Sequence, residues 1–125
     1  MTRDATIALS LAAVVCIAPS AGFAQDAPPS YQAAPSVYKV IFENQDFRVI
    51  KATWKAGETD KPHSHPVPSV VYFLTNCSIK LTSADGKTVN IKNKAGQANA
   101  VPIEHSHTAT NLTHHTCQAV FVERK

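Results

Sequence analysis

Four of the six histidines in this 125-residue chain fall into two identical triplets, His63-Ser64-His65 and His105-Ser106-His107. On an extended backbone, side chains at i and i+2 point to one face, so each triplet offers two imidazoles to the same side. Neutral imidazole suits zinc, copper, nickel, iron and manganese, and each pair can hold one ion between its rings. A single such triplet also fits a plain polar turn. Two copies, each introduced by a glycine (Gly57, Gly96) and prolines, point to a divalent transition-metal site. His114 and His115 fall in a late turn and read as surface residues.

Histidines spaced for a shared face need strands to hold them, and the rest of the sequence supplies strands. Val37–Phe42, Phe47–Trp54 and Val70–Leu74 are rich in β-branched and aromatic residues, which favour a pleated surface. Cys77–Thr82 and Lys87–Lys92 flank Ala84-Asp85-Gly86, and Asp-Gly between β-type runs signals a hairpin. Ala98–Ile103, His107–Leu112 and Cys117–Val122 complete the set. No window after the first two dozen residues keeps a helical apolar stripe for three turns. Eight or nine short strands predict an all-β sandwich or barrel.

With the strands in place, the two histidine stretches resemble the paired motifs of the cupin superfamily. The first motif, G-x5-H-x-H-x(3,4)-E-x6-G, is matched by Gly57, His63 and His65, with Ser69 at the glutamate and Asn76 at the closing glycine. The second, G-x5-P-x-G-x2-H-x3-N, is matched by Gly96, Pro102, His107 and Asn111, with Glu104 at the middle glycine. The resemblance runs from Phe47 to Val122. It implies a small jelly-roll β-barrel over residues 37–125 and a mononuclear metal site ligated by His63, His65 and His107. The metal would be Fe, Mn, Ni, Zn or Cu, with metal–nitrogen distances of about 2.0–2.1 Å for zinc. With Ser69 replacing the glutamate, the site resembles the three-histidine subset, some of which are iron-dependent dioxygenases. His105 is a candidate fourth ligand, because it shares parity with His107; the alternative is that it faces solvent. Trp54, Tyr72 and Phe73 either line the cavity or form plain core, and Asn111 is expected to bond neighbouring backbone.

The amino terminus reads as an export signal. Arg3 precedes an apolar run from Ile7 to Ala18, and Gly22 and Ala24 are the small residues before a cut at Gln25. The run is too short for a bilayer span of about 20 apolar residues. Residues 1–24 are thus expected to be a signal helix that is removed, and the Pro/Ala/Ser-rich residues 25–36 an extended, flexible linker. The predicted destination is the periplasm or the medium, with no membrane attachment after cleavage. Two cysteines, Cys77 and Cys117, then remain, and an even count in an oxidising compartment favours a disulfide, the alternative being two buried thiols. In a jelly roll the last strand lies beside the one running Val70–Thr75, which brings these cysteines within reach of each other.

The formal net charge of +3 is mild and its lysines are scattered singly, which excludes the basic stripe of a nucleic-acid binder. Three functions remain open. One is a metal-dependent enzyme acting on a small molecule, although Glu104 has the wrong parity for a general base and Glu58 and Asp60 precede the site in a loop. A second is a non-catalytic module that holds a metal or small ligand. A third is a metal-free fold used for association. The resemblance also implies a homodimer through edge strands, with Val37–Phe42 a candidate swapped strand.

Overall fold

The computed structural model describes residues 25–125; the expected signal segment, residues 1–24, lies outside them. The described chain forms one short helix, α1 (Ser30–Ala33), and nine strands. The strands are β1 (Tyr38–Glu43), β2 (Phe47–Trp54), β3 (His63–His65), β4 (Ser69–Phe73), β5 (Cys77–Ser83), β6 (Thr88–Asn93), β7 (Ala98–Val101), β8 (Glu104–Asn111) and β9 (Cys117–Arg124). They build two antiparallel sheets, ordered β1-β2-β9-β4-β7 and β3-β8-β5-β6. Among the described residues no helix is long and apolar enough to cross a membrane.

Alternation decides which side chains fill the space between the sheets. On β2, Ile50, Ala52 and Trp54 are buried, and on β9, Cys117, Ala119 and Phe121 face the same interior. Val71 and Phe73 on β4 and Ile79 on β5 close the core. Tyr72 takes the opposite parity and lies 45% exposed on the outer face, so of the aromatic trio only Trp54 and Phe73 reach the interior cavity. Burying an aromatic or large aliphatic side chain contributes about 1.5–3 kcal/mol. The inner face therefore sets the register of every strand.

Gly57 and Gly96 adopt φ of +73° and +85°. Each makes the turn that delivers a histidine stretch, in a conformation that a Cβ would strain. Asn111 is fully buried; its Nδ2 donates to the carbonyls of Trp54, Lys55 and His115, and its Oδ1 accepts from the Thr113 amide. It thus ties the end of β8 to the loop that leads into β3.

The segment 25–36 differs from the extended linker that its composition suggests. Ser30–Ala33 makes one helical turn, and Ser30 and Ala34 are buried. The Ala27 amide donates to the His105 carbonyl, the Ser64 amide to that of Pro28, and the Tyr31 ring lies under the Arg48 guanidinium at 4.5 Å. Proline and alanine carry few polar groups to satisfy, so the segment fits against β3 as readily as it would stay extended. β1 pairs with β2.

A disulfide joins Cys77 and Cys117, whose Cα atoms are 5.4 Å apart. Cys77 opens β5 and Cys117 opens β9, so the bond crosses from one sheet to the other. β4 and β9 pair antiparallel, the neighbour relation that brings the two cysteines together.

Candidate metal centre

β3 and β8 run antiparallel and carry the histidines. His63 stands opposite His107, and His65 opposite Glu104. His63, His65 and His107 converge inside the barrel, with one potential ligand nitrogen from each lying within 4.8 Å of the others. His63 and His107 bring their Nε2 atoms to 3.0 Å. The three rings pack edge to face or tilted, with centroids 4.6–5.2 Å apart, and His65 stacks on Phe121.

His105 does not join them. Two steps along β3 face three along β8, so β8 carries one additional residue between Glu104 and His107. Such a bulge resets the alternation of the strand, and turns the His105 side chain outward, where its Nδ1 lies 2.9 Å from Asp26 Oδ1. The same shift reverses the expectation for Glu104. Instead of pointing away, it lines the mouth of the barrel with His107, Asn99 and Pro102, in a recess of about 330 Å³. His115 donates to or accepts nothing at the centre; its Nε2 meets the Asn76 carbonyl 2.8 Å away.

Asp60, expected in a loop ahead of the site, is buried directly behind it. Its Oδ2 accepts from Tyr38 Oη at 2.8 Å and from Trp54 Nε1 at 2.9 Å, and its Oδ1 from the Ala109 amide at 2.7 Å. His63 Nδ1 lies 3.5 Å from that same Oδ1 and 2.9 Å from the Lys61 carbonyl. A carbonyl only accepts, so Nδ1 carries the proton and the Nε2 lone pair is free to bind a cation. Tyr38 Oη stands 3.2 Å from that Nε2. Neither Tyr38 nor Asp60 carries a spacing signal in the sequence. Tyr38 starts a strand far from the motifs, and only the pairing of β1 with β2 places it under β3.

Replacing Asp60 by asparagine keeps its shape but turns one acceptor into a donor facing another donor. A hydrogen bond to a charged group is worth about 1.5–3 kcal/mol, so Asp60→Asn is expected to cost about 3 kcal/mol. Urea unfolding of the metal-free protein reads this loss; a change of a few tenths would show that the carboxylate is not holding the cluster together.

Burial, then the neighbouring His63 and His107, pulls His65 down to about 3. Burial, then His63, pulls His107 down to about 4. Burial first and Asp60 second push the Tyr38 phenol well above the usual tyrosine range. His65 and His107 are therefore neutral donors at neutral pH. Once unfolded, these histidines titrate near about 6.5, so below that pH the unfolded chain binds protons that the native chain refuses. Stability of the metal-free protein should be complete above about pH 6.5 and fall as pH drops through about 4 to about 3. A series of chemical-denaturation midpoints across that range checks it, and a flat profile would contradict it.

The inner cavity, about 80 Å³, is lined by His65, His107, Tyr38 and apolar side chains such as Val71, Leu81 and Ile91. The donor set suits a metal. It offers three imidazoles with no lysine or arginine among the lining residues, and the buried His65 Nδ1 lacks any hydrogen-bond partner. Three histidines plus open positions form the donor set of many catalytic metal sites.

Comparison with solved structures places this barrel among known ones. A cupin domain from Bordetella pertussis superposes with a TM-score of 0.66 at 21% identity, covering 83% of this chain and 99% of that one. The fold is that of the cupins. A cupin family protein with a double-stranded β-helix fold from Methanocaldococcus jannaschii gives 0.57 at 16% identity, covering 70% of this chain and 78% of that one. A protein with a double-stranded β-helix domain from Klebsiella pneumoniae gives 0.57 at 18%, covering 86% and 82%. No family model and no curated protein matches the sequence. In this cupin barrel, the three motif histidines are positioned to hold a metal ion, and Ser69, at the motif glutamate, is buried on β4 with its Oγ unpartnered.

Proposed function

We propose that the chain is an exported small cupin that binds one divalent transition metal through His63, His65 and His107 and uses the site on a small molecule. The convergence of three imidazoles, two of them lining an apolar cavity, carries this reading. Ser69 contributes no charge where the motif has a glutamate, so a bound cation would keep its full positive charge. A bound metal would supply Lewis-acid polarisation of a ligand oxygen or activation of a water. The protein's own part is to orient and to exclude water. Asp60 and Lys61 fix the His63 ring, Phe121 holds His65, and the apolar lining keeps the cavity dry. Anionic or oxygen-bearing small molecules suit such a centre.

Export is supported by the amino-terminal pattern and by the Cys77–Cys117 bond, which persists in an oxidising compartment. A homodimer is supported by the apolar surface of β1, where Ile41 and Phe42 are 57% and 53% exposed.

One observation favours a non-catalytic binding module as the second reading. The inner cavity is lined by no carboxylate, Asp60 is fully engaged by its donors, and Glu104 stands at the mouth. Protein purified from its native compartment, without refolding or a histidine tag, should contain close to one transition metal per chain by elemental analysis. Absence of metal there, together with failure of added metal to bind, would sink both readings. Metal without oxygen uptake or product formation across candidate substrate pools would favour the binding module.

A further inference from the structure

We infer that Glu104 is a charge filter at the mouth of the barrel, admitting uncharged, hydrogen-bond-donating small molecules to the histidine centre and turning anions away. The inference rests on the metal-site reading above and narrows its ligand class. Of the anionic and the oxygen-bearing molecules that suit a cation, it selects uncharged ones that carry a hydroxyl or N–H group. Its basis is what surrounds the approach. The recess of about 330 Å³ shares Val71, Leu81, Ile91 and His107 with the inner cavity, so it is the vestibule of that cavity. Among the described residues that line the two, Glu104 is the single acidic one, and there is no lysine or arginine to offset it.

The carboxylate is also unpaired. Among the described residues, ion pairs engage Asp26, Glu43, Asp60, Asp85 and Glu123, and not Glu104. The amide that shares the recess, Asn99, is already taken: its Nδ2 donates to Asn93 Oδ1 at 2.6 Å and its Oδ1 accepts from Gln97 Nε2 at 3.5 Å. Glu104 lies outside the cluster of converging ligand nitrogens, so it stands before the centre and not in it. It is half-buried beside Val101 and Pro102. Apolar walls screen a charge poorly and focus its field into the space between them. An entering anion is repelled there, whereas an O–H or N–H group finds an acceptor, since a carboxylate only accepts. The cupin motif has a glycine at this position, with no side chain to exert such control; here the β8 bulge turns a charged one into the path.

The test reads ligand binding instead of turnover. Protein is loaded with cobalt(II) and its metal content measured. Azide, an anion, and imidazole, a neutral N–H donor at about pH 8, are then titrated in while the visible cobalt bands are followed. Glu104→Gln removes the charge at nearly constant shape, and Glu104→Ala repeats the removal without the amide. We expect one cobalt per chain in all three proteins, azide bound about 10-fold more tightly by both variants, and imidazole changed by less than about twofold. Equal azide affinity in wild type and variants overturns the filter while the three-histidine site stands. An equal gain for imidazole also overturns it, because that reports a wider mouth and not a lost charge. Loss of cobalt from both variants overturns it by placing Glu104 within the donor set. A wild type that takes up no cobalt overturns the metal-site reading itself.

Discussion

His63→Ala and His65→Ala are each expected to abolish stable metal binding, lowering affinity by more than the roughly 10–100-fold typical of lost outer-shell partners. The reason is the thinness of the donor set. The motif glutamate is Ser69 and His105 faces solvent, so two imidazoles would remain where three converge. A ligand that binds only the native state stabilises it by about 2.7 kcal/mol at a hundred times its dissociation constant. Wild-type protein should therefore melt higher as zinc or iron is added, and the two variants should not respond. His105→Ala is the matched control, since it removes an imidazole that contacts only Asp26 at the surface. It should keep both the metal and the thermal shift. A variant lacking His63 or His65 that still holds one metal per chain would refute the assigned ligands.

The second large effect is expected at the other end of the barrel. The Cys77–Cys117 bond spans 40 residues, and closing a loop of that length restricts the unfolded chain by about 4 kcal/mol. For a domain of this size each kcal/mol moves the melting temperature by about 4–8 °C. Replacing both cysteines with alanine should thus lower it by about 15–30 °C. The histidines lie away from this bond: His107 pairs with Ser83 at one end of β5, and Cys77 starts the other. Below its melting temperature the variant should therefore bind metal with unchanged stoichiometry. Calorimetry on both forms measures the first effect and elemental analysis the second; a shift of only a few degrees would show that the unfolded chain gains little freedom from the loss.

The legible part of this protein was written in local patterns. β-branched and aromatic composition placed β1, β2 and β4, and Ala84-Asp85-Gly86 placed the β5–β6 hairpin. The spacing of Gly57, His63 and His65, and of Gly96, Pro102 and His107, marked the residues that converge at the centre. Three features escaped for three physical reasons. The β8 bulge is one additional residue against a partner strand, visible only once β3 and β8 are paired, and it reversed the parity of both His105 and Glu104. Tyr38 and Asp60 reach the site through tertiary pairing, so no interval in the sequence connects them to the histidines. Residues 25–36 have the composition of a spacer, yet their few apolar contacts and backbone bonds suffice because β3 offers a free edge beside them.

That free edge has a consequence for how the molecule meets its neighbours. β3 is an outermost strand of its sheet, and an uncovered outermost strand is a template on which another chain can add. Here Pro29 bridges Ser64 and the Pro28 carbonyl accepts the Ser64 amide, so the strand bearing two of the three histidines is capped by its own chain. The opposite border of the same sheet, β6, has no such cover among the described residues and shows solvent Thr88, Asn90 and Lys92 together with Val89, 60% exposed. Self-association by edge-to-edge pairing is thereby discouraged at the border that carries His63 and His65, because that border is already filled.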